Sequence, residues 1–114
     1  MVFANRSSGK WFEDTISMGV TLVDFNAPWC KPCLAQETII KELEKDYGGT
    51  AKVTSLNIDE YRDIALNIGI QSIPTIIIYR DGREISRFIG LQTAETLRRA
   101  LRDTIDQSSL SRRA

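Results

Sequence analysis

A short apolar run that ends in a turn, passes through a Cys-x-x-Cys segment and continues as an amphipathic helix limits this chain to few folds. From Thr21 to Asn26 the sequence reads TLVDFN, β-branched and aromatic residues that predict a short buried strand. Ala27-Pro28 supplies the turn, and Trp29-Cys30-Lys31-Pro32-Cys33 follows at once. Ile39, Ile40, Leu43 and Tyr47 then recur at helical spacing, Glu37 stands four residues before Lys41, and Gly48-Gly49 supplies a stop. A second strand, AKVTSLNI, spans Ala51 to Ile58. A strand, a helix and a strand connected in this order form a right-handed βαβ unit with the two strands parallel in one sheet.

The second half predicts a change of strand direction. Asp59 is placed to N-cap a short helix carrying Ile64 and Ile68 and closed by Gly69. After Pro74, TIIIYR and REISRFIG flank Asp81-Gly82, the strongest short-range hairpin signal, so the last two strands are expected to run antiparallel. Leu97, Ala100, Leu101 and Ile105 form the apolar stripe of a final helix opened by Thr93. Before residue 20, Trp11, Phe12 and Ile16 suggest another helix, and Val2 to Asn5 reads as an edge strand. The expectation is one α/β domain over residues 1–106, with a mixed sheet of four to five strands flanked by helices on both faces. Residues 107–114 are expected to be a polar, frayed tail.

Composition narrows the function. At 114 residues the chain has the length of one domain. Lys plus Arg equals Asp plus Glu at 15 each, which removes the electrostatic footprint of a nucleic-acid binder. The longest clean apolar run, Ile76 to Tyr79, is far too short to span a bilayer, and Val2-Phe3-Ala4 is too short for the core of a secretory signal. A cytoplasmic protein without nucleic-acid or membrane partners is therefore expected. The chain has no histidine, which excludes Ser/His and Cys/His nucleophilic catalysis, His-ligated zinc, and haem attachment through Cys-x-x-Cys-His, where Leu34 stands instead.

Cys30 and Cys33 are the only cysteines, and three chemistries compete for them. Structural zinc needs four ligands, and two thiolates without imidazole reach that number only if two copies share the metal. As a staple, a bridge closing about four residues contributes on the order of 2 kcal/mol by loop entropy, against about 4.7 for a loop of 100. A cycling dithiol is favoured by position: the cysteines open a helix, where unpaired N–H groups and the macrodipole stabilise an anion, with Cys30 the thiolate. Pro32 suits the first turn of that helix, having no N–H to leave unpaired and a helical φ. Lys31 opposes the dipole but supports a thiolate nearby. At about 7 Å a unit charge is worth roughly 0.6 kcal/mol in water and about 2 at an effective dielectric of 20.

From about Trp11 to Ile105 the chain resembles the thioredoxin family. The resemblance is carried in order by VDFNAPWCKPC, by LNID at 56–59, by SIPT at 72–75, by the Asp-Gly hairpin and by Gly90. It implies the thioredoxin fold and a protein-disulfide reductase that needs no bound cofactor beyond a redox-active Cys30–Cys33 disulfide. Cys30 matches the nucleophile that forms a mixed disulfide, and Cys33 the resolving thiol. Asp24 matches the family's buried carboxylate, which takes the proton of Cys33; without the motif, a solvated strand-end aspartate is the ordinary reading. Pro74 matches a cis-proline, although only about 5–6% of X-Pro bonds are cis. Trp29, Ile58, Ile73, Pro74, Gly90 and Leu91 would form an apolar docking surface around Cys30, with the Ile73 backbone free to pair with an extended substrate. The implied partners are disulfide-containing target proteins and a thioredoxin reductase as electron donor, acting on a monomer.

Four positions depart from the family pattern. Lys31 replaces a glycine, Ser55 stands where a lysine commonly lies near the buried aspartate, Thr38 where a proline commonly kinks the second helix, and Asn26 where a tryptophan often precedes the motif. Moving positive charge from Asp24 towards Cys30 favours the reduced thiolate and makes the disulfide a better oxidant. A more oxidising isomerase or oxidase of the same fold, or a binding module with inert cysteines, are the alternatives.

Overall fold

Four strands and four helices follow one another as helix α1 (Val2–Ile16), strand β1 (Val20–Asn26), α2 (Lys31–Asp46), β2 (Lys52–Asn57), α3 (Arg62–Ile68), β3 (Thr75–Arg80), β4 (Arg83–Ile89) and α4 (Ala94–Arg113). This computed structural model describes residues 2–113, with side chains from 9 to 107. The sheet order is β2-β1-β3-β4. β1 pairs with β2 in parallel, with Asp24 beside Ser55, and pairs antiparallel with β3, with Asp24 beside Ile76. The βαβ unit and the mixed sheet are therefore present as expected.

The two faces of the sheet are read directly from strand alternation. Leu22, Ile76 and Ile78 pack with Ile40 and Leu43 of α2 and Leu97 and Leu101 of α4. Val23, Phe25, Ile77 and Tyr79 pack with Phe12 and Ile16 of α1 and Ile64 of α3. β3 is buried on both faces because helices cover both sides of the sheet there, which is why its TIIIY segment lacks the usual alternation with exposed polar residues. The β3–β4 turn places Asp81 at φ 51° and Gly82 at φ 85°, the left-handed pair that a two-residue hairpin needs. Asp81 Oδ1 also accepts the Gly19 N–H at 2.7 Å, tying the turn to the entrance of β1.

Two expectations about the chain ends are revised. Val2 to Asn5 is the first turn of α1 and not an edge strand, so the sheet has four strands, with β2 and β4 as its edges. Strand propensity is worth at most about 1 kcal/mol and is set by packing, whereas an established helix extends one hydrogen bond at a time. At the other end, α4 runs on to Arg113, through the segment read as a tail. Its start is as expected: Thr93 Oγ1 accepts the Thr96 N–H at 3.1 Å.

Candidate active site

The end of β1 and the start of α2 place the two cysteines. Cys30 is the N-cap of α2, with extended backbone (φ −93°, ψ 110°), and Lys31 and Pro32 form the first turn. The cap is the sulfur itself: Cys30 Sγ accepts the Cys33 N–H at 3.3 Å. An N–H aimed at a sulfur at the positive end of a helix lowers the cost of a thiolate there. The cysteines form a disulfide with their Cα atoms 5.2 Å apart. Both are nearly covered, and with Ala27 they make a small cluster against which Ile58 and Ile73 pack. Lys31 and Pro32 are exposed. Thr38 leaves α2 uninterrupted from Lys31 to Asp46.

A second set of residues frames the cysteines. The Ile73–Pro74 peptide is cis, and Cys30 Sγ lies 3.8 Å from the Ile73 carbonyl oxygen. The Gly90 N–H donates to the Pro74 carbonyl at 2.8 Å, and Gly90 has φ +93°, which a side chain would strain. Leu91, beside it, is half exposed. Ile58 and Ile73 are half-buried and Pro74 is buried, so they serve both core and rim. Trp29 leaves 66% of its surface exposed, yet its Nε1 donates to Asp59 Oδ2 at 2.8 Å. That bond corrects the expectation that Asp59 caps α3. The cap position is Tyr61 and makes no side-chain hydrogen bond, and Asp59 instead holds the indole.

Sequence reasoning also missed Gln36. It is fully buried on α2, its Oε1 accepting the Gln92 N–H at 2.8 Å and its Nε2 donating to the Gln92 carbonyl at 3.1 Å. This reciprocal pair fixes the loop that carries Gly90 and Leu91. A buried polar residue on an otherwise apolar stripe was the available signal, since such groups are kept only when hydrogen-bonded.

Asp24 is fully buried on β1. Its carboxyl is raised to about 6, mainly because burial strips it of water, with the Asn26 hydrogen bond pulling it down and the Glu37 carboxylate pushing it up. Asn26 Nδ2 donates to Asp24 Oδ2 at 3.3 Å, while Oδ1 has no hydrogen-bond partner among the described residues. Ser55, the neighbour on β2, brings no cation. Asn26 shares a recess of about 190 Å³ with Cys33, Leu34, Glu37 and Asn57. A larger hollow of about 380 Å³ lies between α1 and α3 and touches none of these residues. Among the described residues no group of three or more acidic, Cys or His side chains is placed to hold a metal.

A disulfide whose one sulfur caps a helix, set at the end of a mixed sheet, defines a thiol-disulfide oxidoreductase. Comparison with known proteins agrees. The thioredoxin family model matches residues 4–103. The thioredoxin of Staphylococcus saprophyticus is 41% identical over 86 residues, covering 75% of this chain and 83% of that one. That of Staphylococcus aureus is 38% identical over 90 residues, covering 79% and 86%. Among solved structures, a mutant thioredoxin from Halobacterium salinarum superposes with a TM-score of 0.76 at 28% identity, over 82% of each chain. This chain belongs to the thioredoxin family. It carries out dithiol–disulfide exchange on protein disulfides through Cys30 and Cys33.

Proposed function

We propose that the protein works as a reductase, with Cys30 as the attacking and Cys33 as the resolving thiol. The observation that carries this assignment is the Cys33 N–H donated to Cys30 Sγ at the head of α2, since of the two sulfurs Cys30 holds the capping position. The Cys30 thiolate attacks one sulfur of a target disulfide, forming a mixed disulfide and expelling the other sulfur as thiolate, which is protonated from solvent. Cys33 gives its proton to the Asp24 carboxylate, and its thiolate attacks Cys30 Sγ. That closes the Cys30–Cys33 bond and releases the second target thiolate. Two electrons pass from the dithiol to the target.

Trp29, Ile58, Ile73, Pro74, Gly90 and Leu91 form the docking surface in this reading, supported by the exposed Trp29 and Leu91 and by the Ile73 carbonyl beside Cys30. A thioredoxin reductase, flavin-dependent or ferredoxin-linked, recharges the disulfide. The protein acts as a monomer in the cytoplasm, where such dithiols are kept reduced. No helix among the described residues is long and apolar enough to cross a membrane. No cofactor beyond the disulfide takes part.

Trapping tests the division of labour. Cys33→Ser, reduced and mixed with a disulfide-containing protein, should accumulate a mixed disulfide through Cys30, seen as a mass increment lost on reduction. Cys30→Ser should accumulate none. Trapping through Cys33 instead would overturn the assignment.

A further inference from the structure

Asn26 stands at a position where the family often has tryptophan, and Asp24 has no lysine on β2 beside it. What reaches the buried carboxylate here is different. Asn26 Nδ2 donates to Asp24 Oδ2, and also to the Asp24 backbone carbonyl, each at 3.3 Å. One carboxylate oxygen is thus held and the other, fully buried, has no partner among the described residues. Asn26 and Glu37 lie on the wall of the recess that also contains Cys33, so the resolving thiol, the amide bonded to Asp24 and the Glu37 carboxylate meet at one place.

The groups facing Asp24 can be named element by element. Its face of β1 packs under α2 and α4; Glu37 is the α2 carboxylate that acts on it, and Lys41 pairs with Glu37 at 3.0 Å. Lys31, at the head of α2, is exposed. α4 presents Leu97 and Leu101 to the sheet, and the neighbouring strands offer Ser55 and Ile76 in register.

We propose that Asn26 and Glu37 are opposing positioning residues for the resolving step: Asn26 holds the Asp24 carboxylate in its charged form, and Glu37 favours its protonated form. The proposal rests on the reading that Asp24 takes the proton of Cys33. The two effects differ in kind. Asn26 acts through a direct hydrogen bond in a buried site, which salt does not screen. Glu37 is a half-exposed charge acting at longer range, which salt does screen. Together they set the pH below which Asp24, already protonated, can no longer accept a proton from Cys33.

The step can be timed by stopped flow. The reduced protein is mixed with a symmetric aromatic disulfide that releases a coloured thiolate; the first equivalent reports attack by Cys30 and the second reports resolution by Cys33. Glu37→Gln should move the acid limb of the second phase to lower pH, and the displacement should shrink as salt is added. Asn26→Leu, with Asn26→Ala as a smaller alternative, should move the limb to higher pH by an amount that salt does not change. Asp24→Asn should remove the limb. If Asp24→Asn keeps the limb, the role of Asp24 itself fails. If it loses the limb while the Asn26 and Glu37 variants leave it in place or move it the same way, the opposing-pair proposal alone is overturned.

Discussion

Leu22 and Asp24 lie two residues apart on the same face of β1, and both are fully buried. Leu22 belongs to an apolar cluster with Ile40, Leu43, Ile76 and Leu97, whereas Asp24 meets the Asn26 amide and keeps one oxygen without a partner among the described residues. About 7 Å of strand separates a residue that stabilises the fold from one that weakens it, since a desolvated carboxylate without full hydrogen bonding is costly. The site is built into the core layer, so the strand's packing is what supplies the low-polarity setting that lifts Asp24 to about 6.

That contrast can be broken in order of size. Leu22→Ala should cost about 2–5 kcal/mol in denaturant unfolding, with disulfide exchange retained by the folded fraction. Asp24→Asn should do the reverse. The folded carboxyl titrates at about 6 against 3.8 for the ordinary group, so the native state binds the proton more tightly than the unfolded state. Stability from this group is therefore full below about pH 4, falls as the pH rises from about 4 to about 6, and is lost above that. A shift of about two pH units corresponds to about 3 kcal/mol. The Asp24→Asn variant should lack this slope, gain stability at neutral pH by up to that amount and resolve mixed disulfides more slowly; unfolding curves in acid and at neutral pH check it.

Smaller effects sharpen the comparison at the rim. Gln36→Leu leaves the Gln92 N–H and carbonyl without their buried partner and should cost about 1–3 kcal/mol, with weaker binding of protein substrates as the Gly90-Leu91 loop loosens. Asp59→Ala should cost about 1 kcal/mol or less, because Trp29 is exposed, and show itself instead as greater mobility of the indole in fluorescence anisotropy. Lys31→Gln should slow attack by Cys30 by no more than about threefold, the worth of roughly 0.6 kcal/mol across water, and the difference should fade with salt.

Local patterns made most of the fold legible. The βαβ order, the Asp-Gly hairpin and the continuous apolar β3 each depend on residues close in sequence, and all appear where expected. The misses involve alternatives that local pattern does not rank. Val2 and Phe3 carry strand propensity, but only the tertiary arrangement decides that no ladder receives them. Asp59 has the side chain of a helix cap, and its use as the acceptor for Trp29 depends on a residue 30 positions away. Gln36 went unread because its partner, Gln92, lies 56 positions on. Within the site, the spacing and strand order put the cysteine pair at the head of a helix, and the resemblance carried by WCKPC and SIPT supplied its redox reading. The hydrogen bond from Asn26 to Asp24 was less so. Residues i and i+2 of a strand share a face, but an asparagine at a strand end has backbone groups and water as competing partners, and here its amide is divided between the Asp24 carboxylate and the Asp24 backbone carbonyl.

The reduction potential of the Cys30–Cys33 pair tests the account most directly, by trapping free thiols in graded dithiol buffers and counting labels by mass. A value below the cytosolic glutathione poise of about −220 to −260 mV is predicted, and makes the protein an electron donor to target disulfides. A value well above it would contradict that reading: the lysine beside Cys30 and the serine beside Asp24 would have turned the same fold towards oxidation.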